Sequence, residues 1–211
     1  MTTSEDWSLQ FDLLYNNISS NQAPGLTEYE KSVFLTQAQE AVILDLYKGL
    51  TGDSFETTEE VTRYLNSLVK SDSETLTQAS SSLYNQKIYT VSIEENVWFI
   101  IFESVTNNIK NTIPVIPTRH DSLHKDLKNP FRGPSSNKVL RTSEDNKVCL
   151  YSSEVITTYN YKYLKRPNPI VLEGSELEVN GVSDFDIEVP ESLHNSILMR
   201  AVQMAKTVWQ M

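Results

Sequence analysis

Two histidines four positions apart, His120 and His124 in the segment HDSLH, have the clearest potential for chemistry, because Asp121 follows the first. On a helix, residues four apart share a face, and two imidazoles beside an acid are typical of a zinc hydrolase. The context argues against that interpretation, since Pro117 and Pro130 leave room for about three turns of helix at most. We therefore expect solvated or hydrogen-bonded histidines, with no metal ion and no cofactor.

Other catalytic signatures are also missing from the sequence. Six glycines form neither a phosphate-binding loop nor a Gly-x-Ser-x-Gly elbow. Cys149 lies in the apolar run VCLY, which indicates a small buried side chain rather than a nucleophile. The acidic pairs at 59–60 and 94–95 fall at a helix start and a turn, and His194 is the one further histidine. The sequence therefore predicts a protein that is not an enzyme.

A basic stretch from Arg119 to Arg141 is the best candidate for binding, with six basic residues against two aspartates. Within it, the prolines and glycine of NPFRGPSS predict a turn that presents Phe131 and Arg132 at its tip. An aromatic beside an arginine is typical of protein interfaces, and a basic loop could also contact DNA phosphates. An ordinary solvated loop is an equal alternative. The candidate interaction loop comprises Arg119, His120, His124, Lys128, Phe131 and Arg132.

Length and charge set the wider limits. The 211 residues suit one domain, or two small ones tightly joined, and 18 Lys and Arg against 28 Asp and Glu give a net charge of −10. That sign excludes a protein that binds nucleic acid with its whole surface. The acidic excess falls within residues 1–100, which hold five basic and fifteen acidic residues. A single cysteine excludes an internal disulfide, and the longest apolar run, six residues, excludes a membrane span.

Helices are expected at both ends of the chain. Trp7, Phe11, Leu14 and Ile18 have helical spacing, and a capping box begins a longer helix over 27–48. A second capping box at Thr57 and Glu60 predicts a third helix, which ends near Leu68, so that residues 1–70 are mainly helical. A final amphipathic helix is predicted over 190–210.

Strands are expected in the middle of the chain. The serine-rich stretch 71–87 predicts a polar loop, and 88–172 is predicted to be mainly β, with an extended loop over 117–137. Strand patterns cover 88–93, 97–102, 113–116, 138–141, 148–151 and 155–164, with a tight hairpin turn over 143–146. Short connections favour antiparallel pairing. The predicted fold class is α+β, as a single domain over 1–211 with an antiparallel sheet between terminal helices.

Four segments give the chain a family resemblance. APGLTEYEKSVFLTQAQEAVILDLYKG, IPTRHDSLHKDLKNPFRGPSSNKVLR, TTYNYKYLKRPNPIVLE and ILMRAVQMAKTVW are similar to a structural protein of crAss-like phages, which infect Bacteroidales. The resemblance implies a ring or adaptor protein of the head-to-tail connector of a short-tailed phage. The helices at 27–48 and 190–209 carry more apolar surface than one core contact needs. Candidate subunit-interface residues are Phe34, Val42, Leu46, Leu198, Val202 and Trp209.

The resemblance also implies partners and a location. The chain is expected to form a twelvefold ring with itself, beside the portal protein and neighbouring ring, tail or muzzle proteins. Genomic DNA would pass through the channel without specific binding, and an acidic wall would suit that passage. The expected location is the neck or tail of the virion, after assembly in the host bacterial cytoplasm, with no membrane partner. Two alternatives remain: a non-virion phage protein that binds a host partner, and a small metal-dependent hydrolase.

Overall fold

The computed structural model describes residues 3–18, 25–50, 62–83, 85–175 and 185–209. The chain divides into two compact units, a helical unit of Met1–Leu68 with Arg166–Met211 and a sheet unit of Val69–Lys165. The helices belong to the first unit and the strands to the second, apart from one short helix, so the predicted α+β class is confirmed. That both units act as a single ring domain stays a prediction.

The helical unit contains three long helices: α1 (Ser4–Ile18), α2 (Glu28–Leu50) and α4 (Glu191–Trp209). The predicted capping box begins α2, because the Glu30 amide donates to Thr27 Oγ1 at 3.3 Å and the Thr27 amide donates to Glu30 Oε2 at 2.8 Å. Of the predicted third helix, the structure describes a single helical turn over 62–65. Thr57 and Glu60 lie outside the described residues.

Apolar faces of the three helices form the core of this unit. Trp7 and Phe11 of α1 and Leu35 of α2 are fully buried, as the helical spacing predicts. An extended segment over 170–172 is also buried, and α2 holds it through side-chain hydroxyls. Ser32 Oγ accepts from the Leu172 amide at 2.9 Å. Polar residues in the first three turns of α2 therefore satisfy the backbone of a segment far away in the sequence.

The sheet unit contains eight strands in the order β1-β8-β4-β5-β6-β7-β3-β2. Apart from β5 and β6, neighbouring strands are antiparallel. The expectation of a wholly antiparallel sheet is wrong at this pair, because a long connection carries the chain from the end of β5 back to the start of β6. The strands are β1 (Val69–Thr75), β2 (Gln78–Leu83), β3 (Gln86–Ser92), β4 (Val97–Asn107), β5 (Thr112–Pro117), β6 (Val139–Glu144), β7 (Lys147–Ser152) and β8 (Ile156–Lys165).

The polar stretch predicted as a loop over 71–87 instead supplies both edge strands of the sheet. Strand β1 pairs with β8 along its whole length, from Val69 opposite Leu164 to Thr75 opposite Thr158. Strand β2 pairs with β3 alone. An edge strand needs backbone pairing on one side only, and its outward side chains can stay polar. The serines therefore indicated solvent exposure, and the loop prediction is wrong.

The predicted hairpin is confirmed in the sheet, and β8 has one aromatic face. Strands β6 and β7 form the predicted hairpin, with Asp145 at a φ of 54° in the turn. The tyrosine face of β8 points into the core, where Tyr159, Tyr161 and Tyr163 are all buried. Alternation along β8 therefore separates a core face from a more polar face, as a period of two requires.

Candidate functional site

The candidate interaction loop lies in the connection between the parallel strands β5 and β6. This connection contains a short helix, α3 (Leu123–Lys128), so the predicted extended loop is partly helical. Leu123 and Leu127 are buried against Leu140 and Tyr151 of the sheet. Two leucines therefore fasten the segment to one face of the sheet, and the tip that follows projects from a fixed base.

A tight turn after α3 presents the tip. The side-chain oxygen of Asn129 accepts from the Phe131 backbone amide at 2.9 Å. The backbone carbonyl of Asn129 accepts from the Gly133 backbone amide at 2.7 Å. A Cβ at Gly133 would lie 2.9 Å from the Asn129 carbonyl oxygen, so the turn needs glycine here. Phe131 is 89% exposed, in agreement with the predicted tip.

Charged side chains and this phenylalanine line the same shallow groove. The Lys138 ammonium donates to the Phe131 carbonyl at 2.7 Å, and Arg132 lies 3.9 Å from Asp126. Arg132 remains 76% exposed despite that ion pair. We call the following residues of the lining the basic groove: Ile116, Arg119, Phe131, Arg132 and Lys138. An apolar tip in the same groove as three cations suits an acidic partner that also carries apolar side chains.

The two histidines of HDSLH do not share a helix face. His120 lies before α3, and its Nε2 donates to the Ser143 carbonyl at 2.7 Å, while His124 lies exposed on α3. His194 belongs to the helical unit, where its ring packs on Trp7 with centroids 5.1 Å apart. Among the described residues, no three His, Cys, Asp or Glu side chains are grouped as a metal site requires.

The other reactive side chains have structural contacts. Cys149 is half-buried in β7, with its sulfur 4.0 Å from Thr90 Oγ1. Glu94 lies exposed in the turn between β3 and β4, and its carboxylate accepts from the side-chain amide Nδ2 of Asn96 at 3.0 Å. The pair at 59–60 lies outside the described residues. Within the described ranges, no helix is long and apolar enough to span a membrane.

The candidate interface helices divide into covered and partly open residues. Leu198 and Val202 are buried in the core of the helical unit and are not available to a second subunit. Phe34, Val42 and Leu46 are half-buried, and they remain the part of the predicted interface that another subunit could reach. The side chain of Trp209 lies outside the described residues.

Exposed leucines on α1 form a surface that sequence reasoning missed. Leu9 is 67% and Leu13 is 64% exposed, although both are large and apolar. Four residues apart, they share one helix face. A shallow groove beside Leu9 is lined by Glu5 and Glu173, both exposed. Their spacing in the sequence could have predicted this surface. Leu9 and Leu13 lie on a different face of α1 from Trp7 and Phe11, which are buried.

A buried ionic cluster in the sheet unit was also missed. Glu103 of β4 lies 3.1 Å from Arg141 Nε and accepts from the Tyr159 hydroxyl at 2.7 Å. Burial raises the pKa of Glu103, against the opposing effects of the Tyr159 hydrogen bond and the Arg141 charge. Burial and the nearby Glu103 carboxylate raise the pKa of Tyr159, so its hydroxyl stays a donor. The cluster joins β4 to β6 across β5 and serves the packing of the sheet.

Comparison with known proteins gives matches over the whole chain. A family model described as phage tail ring protein 3/4 matches residues 1–211. Ring protein 3 of Bacteroides phage crAss001 is 36% identical over 96% of this chain and 94% of its own length. Ring protein 4/5 of the same phage is 30% identical over 97% of this chain and 92% of its own length.

Proposed function

The chain belongs to the family of phage tail ring proteins 3/4, and on that premise we propose that it builds a homo-oligomeric ring in the neck or tail of a phage particle. It is a structural ring protein and a component of the virion. The observation that carries the proposal is the match of almost the full chain to two ring proteins at 36% and 30% identity. The proposed role requires no catalysis, and the arrangement of His120 and His124 favours no hydrolase.

The finer proposal places this ring in the portal-tail connector of a short-tailed phage. It would have twelvefold symmetry, contact the portal and neighbouring ring, tail or muzzle proteins, and surround the channel through which DNA is ejected. The net charge of −10 supports this role, because an acidic wall does not attract phosphate and lets DNA slide. Assembly is proposed to take place in the host bacterial cytoplasm.

The candidate contact surfaces have separate parts in this proposal. The basic groove and its exposed Phe131 suit a contact with an acidic protein surface, whereas Phe34, Val42 and Leu46 suit an apolar lateral contact. A ring subunit requires at least two such surfaces, because each copy contacts a neighbour on either side.

The experiment that tests the proposed function is cross-linking mass spectrometry on purified particles of the encoding phage. We expect links from this chain to other copies of itself and to portal or tail proteins. Negative-stain images of the purified chain would count the subunits of any ring that it forms alone. Absence of the chain from purified particles would contradict the proposal and favour a protein that binds a host partner.

A further inference from the structure

We propose that the basic groove of one copy docks on the exposed leucines of α1 in a second copy, and that this contact joins neighbours around the ring. The inference rests on the proposed ring function and specifies one of its contacts. The docking surface, called here the acidic leucine face, comprises Glu5, Asp6, Leu9, Leu13 and Glu173. Its proposed occupant is the tip at Phe131.

The basic groove supplies one half of the contact. Phe131 and Ile116 are 89% and 43% exposed, so two large apolar side chains of the same groove lining are open to water. Exposed apolar area of this kind is stabilised when a partner covers it. Arg119, Arg132 and Lys138 line the same groove against a single acid, Asp126, so the partner that fits best is acidic.

The acidic leucine face has the opposite composition. Leu9 and Leu13 are about two thirds exposed, at 67% and 64%. Glu5 lies four residues before Leu9 on the same side of α1, and Glu173 lines the groove beside Leu9. Two apolar side chains bordered by carboxylates thus match two apolar side chains bordered by cations.

Charge decides which occupant suits the face. The helical unit carries six Lys and Arg against eighteen Asp and Glu, whereas the sheet unit carries twelve against ten. Two helical units would repel each other, but a sheet unit and a helical unit from different copies attract. Two different patches that bind each other between copies form a head-to-tail contact, which closes into a ring when the rotation per subunit allows.

Disulfide trapping between two populations tests the contact without altering its apolar residues. Cys149→Ala removes the native thiol, and one population then carries Gln10→Cys beside Leu9 while the other carries Pro130→Cys beside Phe131. Cys149 is half-buried, and Gln10 and Pro130 are exposed, so each position accepts a small side chain. We expect the disulfide between the Gln10→Cys and Pro130→Cys populations to form quickly, because docking raises the local thiol concentration. A control population that carries Ile109→Cys in place of Pro130→Cys should form its disulfide about tenfold more slowly. Ile109 is 78% exposed in the turn after β4 and lies outside the basic groove.

Charge reversal then tests the electrostatic part. Arg119→Glu with Arg132→Glu in the Pro130→Cys population should slow trapping about tenfold, and Glu5→Lys with Glu173→Lys in the other population should restore it. Circular dichroism must show that every variant stays folded. Trapping at the control rate, or reversal without effect, would overturn the docking proposal.

Failure of the contact and failure of the ring are distinguishable. If particles contain links between copies of this chain but trapping stays at the control rate, the ring stands and its lateral contact lies elsewhere. If the Pro130→Cys population is trapped only by a different ring protein in the particle, the second-copy occupant is wrong. If the chain is absent from particles, the proposed function fails whatever the trapping result.

Discussion

The helical unit and the sheet unit differ in the sign of their net charge and in the charged side chain that each buries among the described residues. The helical unit has a net charge of −12, from six basic and eighteen acidic residues, and the sheet unit has +2, from twelve and ten. Among the described residues, the buried charged side chains are Lys31 in the helical unit and Glu103 in the sheet unit. The acidic helical unit therefore buries a lysine, and the slightly basic sheet unit buries a glutamate. In each unit, the more abundant type of charge supplies the partners of the buried ion.

The partners of the two buried ions differ in their own burial. Lys31 Nζ lies 2.7 Å from Asp12 and 3.0 Å from Glu28, whose side chains are 43% and 35% exposed. Arg141, the partner of Glu103, is only 14% exposed. Losing Lys31 would leave two carboxylates that water can solvate, whereas losing Glu103 would leave a cation with little access to water. The sheet unit should therefore be the more sensitive to loss of its buried ion.

The largest expected effect is that of Glu103→Ala. This change removes the acceptor shared by the buried Tyr159 hydroxyl and by Arg141, which is only 14% exposed, and breaking a buried pair in this way costs about 3–5 kcal/mol. The free energy of unfolding from urea titration measures the loss. Glu94→Ala, at an exposed turn position, should change stability by less than about 0.5 kcal/mol.

A matched double variant sharpens this result. Glu103→Leu with Arg141→Met replaces both charges by apolar side chains, and it should recover much of the lost stability because no buried charge remains. A double variant as unstable as Glu103→Ala would show that the hydrogen bond to Tyr159, rather than the ion pair, stabilises the cluster.

A smaller effect is expected from Lys31→Met. The methionine keeps most of the volume of the lysine, and the exposed carboxylates of Asp12 and Glu28 become solvated, so the loss should be about 1–3 kcal/mol. Urea titration measures the loss, with Lys48→Met as the control because Lys48 is exposed on the same helix. The control separates the effect of losing a buried ion from the effect of losing one positive charge. A loss equal to that of Glu103→Ala would contradict the comparison of the two units.

The pH dependence of the Lys31 contribution has a definite sign. Burial alone would lower the pKa of Lys31, but its bonds to Asp12 and Glu28 outweigh burial and raise it. A raised pKa gives stability that is fully present below the unfolded value, about 10.4, and is lost as the pH rises through the folded value. The stability difference between the natural chain and Lys31→Met should thus shrink above about pH 10.4.

Thr27→Ala should have a smaller effect again. The change removes the hydroxyl that caps α2, and loss of such a cap costs about 1 kcal/mol. The hydrogen bonds from the Thr27 amide and hydroxyl lower the pKa of Glu30. The contribution of Glu30 to stability is therefore present above the ordinary glutamate pKa and is lost as the pH falls through the lowered value. Thermal unfolding at pH 7 and pH 3 measures both effects, and Thr27→Ser, which keeps the hydroxyl, is the control.

The smallest effect on stability is expected for Phe131→Ala with Arg132→Ala. Both side chains project from the turn tip, so unfolding should change by less than about 0.5 kcal/mol. Loss of attachment to the ring or portal, measured by sedimentation of the assembled protein, should be the main result. A large loss of folded protein would show that the tip supports the sheet unit instead.

Local signals were sufficient to predict much of the fold. Thr27 and Glu30 cap α2 as their spacing indicates, and the turn residues at 143–146 predict the hairpin of β6 and β7. The turn residues around Gly133 likewise predicted the exposed tip of the candidate site. These features depend on residues close together in the sequence, where propensity and periodicity act directly.

Features that depend on distant partners were predicted poorly. Strand β1 is polar and forms because β8, about ninety residues later, supplies its hydrogen bonds. The apolar stripe that contains Leu198 did not reveal whether the same chain or a neighbour covers it, and the structure shows the same chain. Glu103 was overlooked because its partner Arg141 lies two strands away in the sheet.

The division of the chain into two units has a consequence for the order of folding during synthesis. The sheet unit is one continuous stretch, whereas the helical unit needs residues from both ends of the chain. Helix α1 packs on α4, which the ribosome makes after the whole sheet unit, so α1 lacks this packing partner until α4 has been made. Pulse-labelled hydrogen exchange during refolding should show protection of the β8 amides before those of α1. Earlier protection of α1 would contradict this order of folding. A nascent chain without α4 would then lack its finished α1 surface, and only copies that contain α4 could join an assembly.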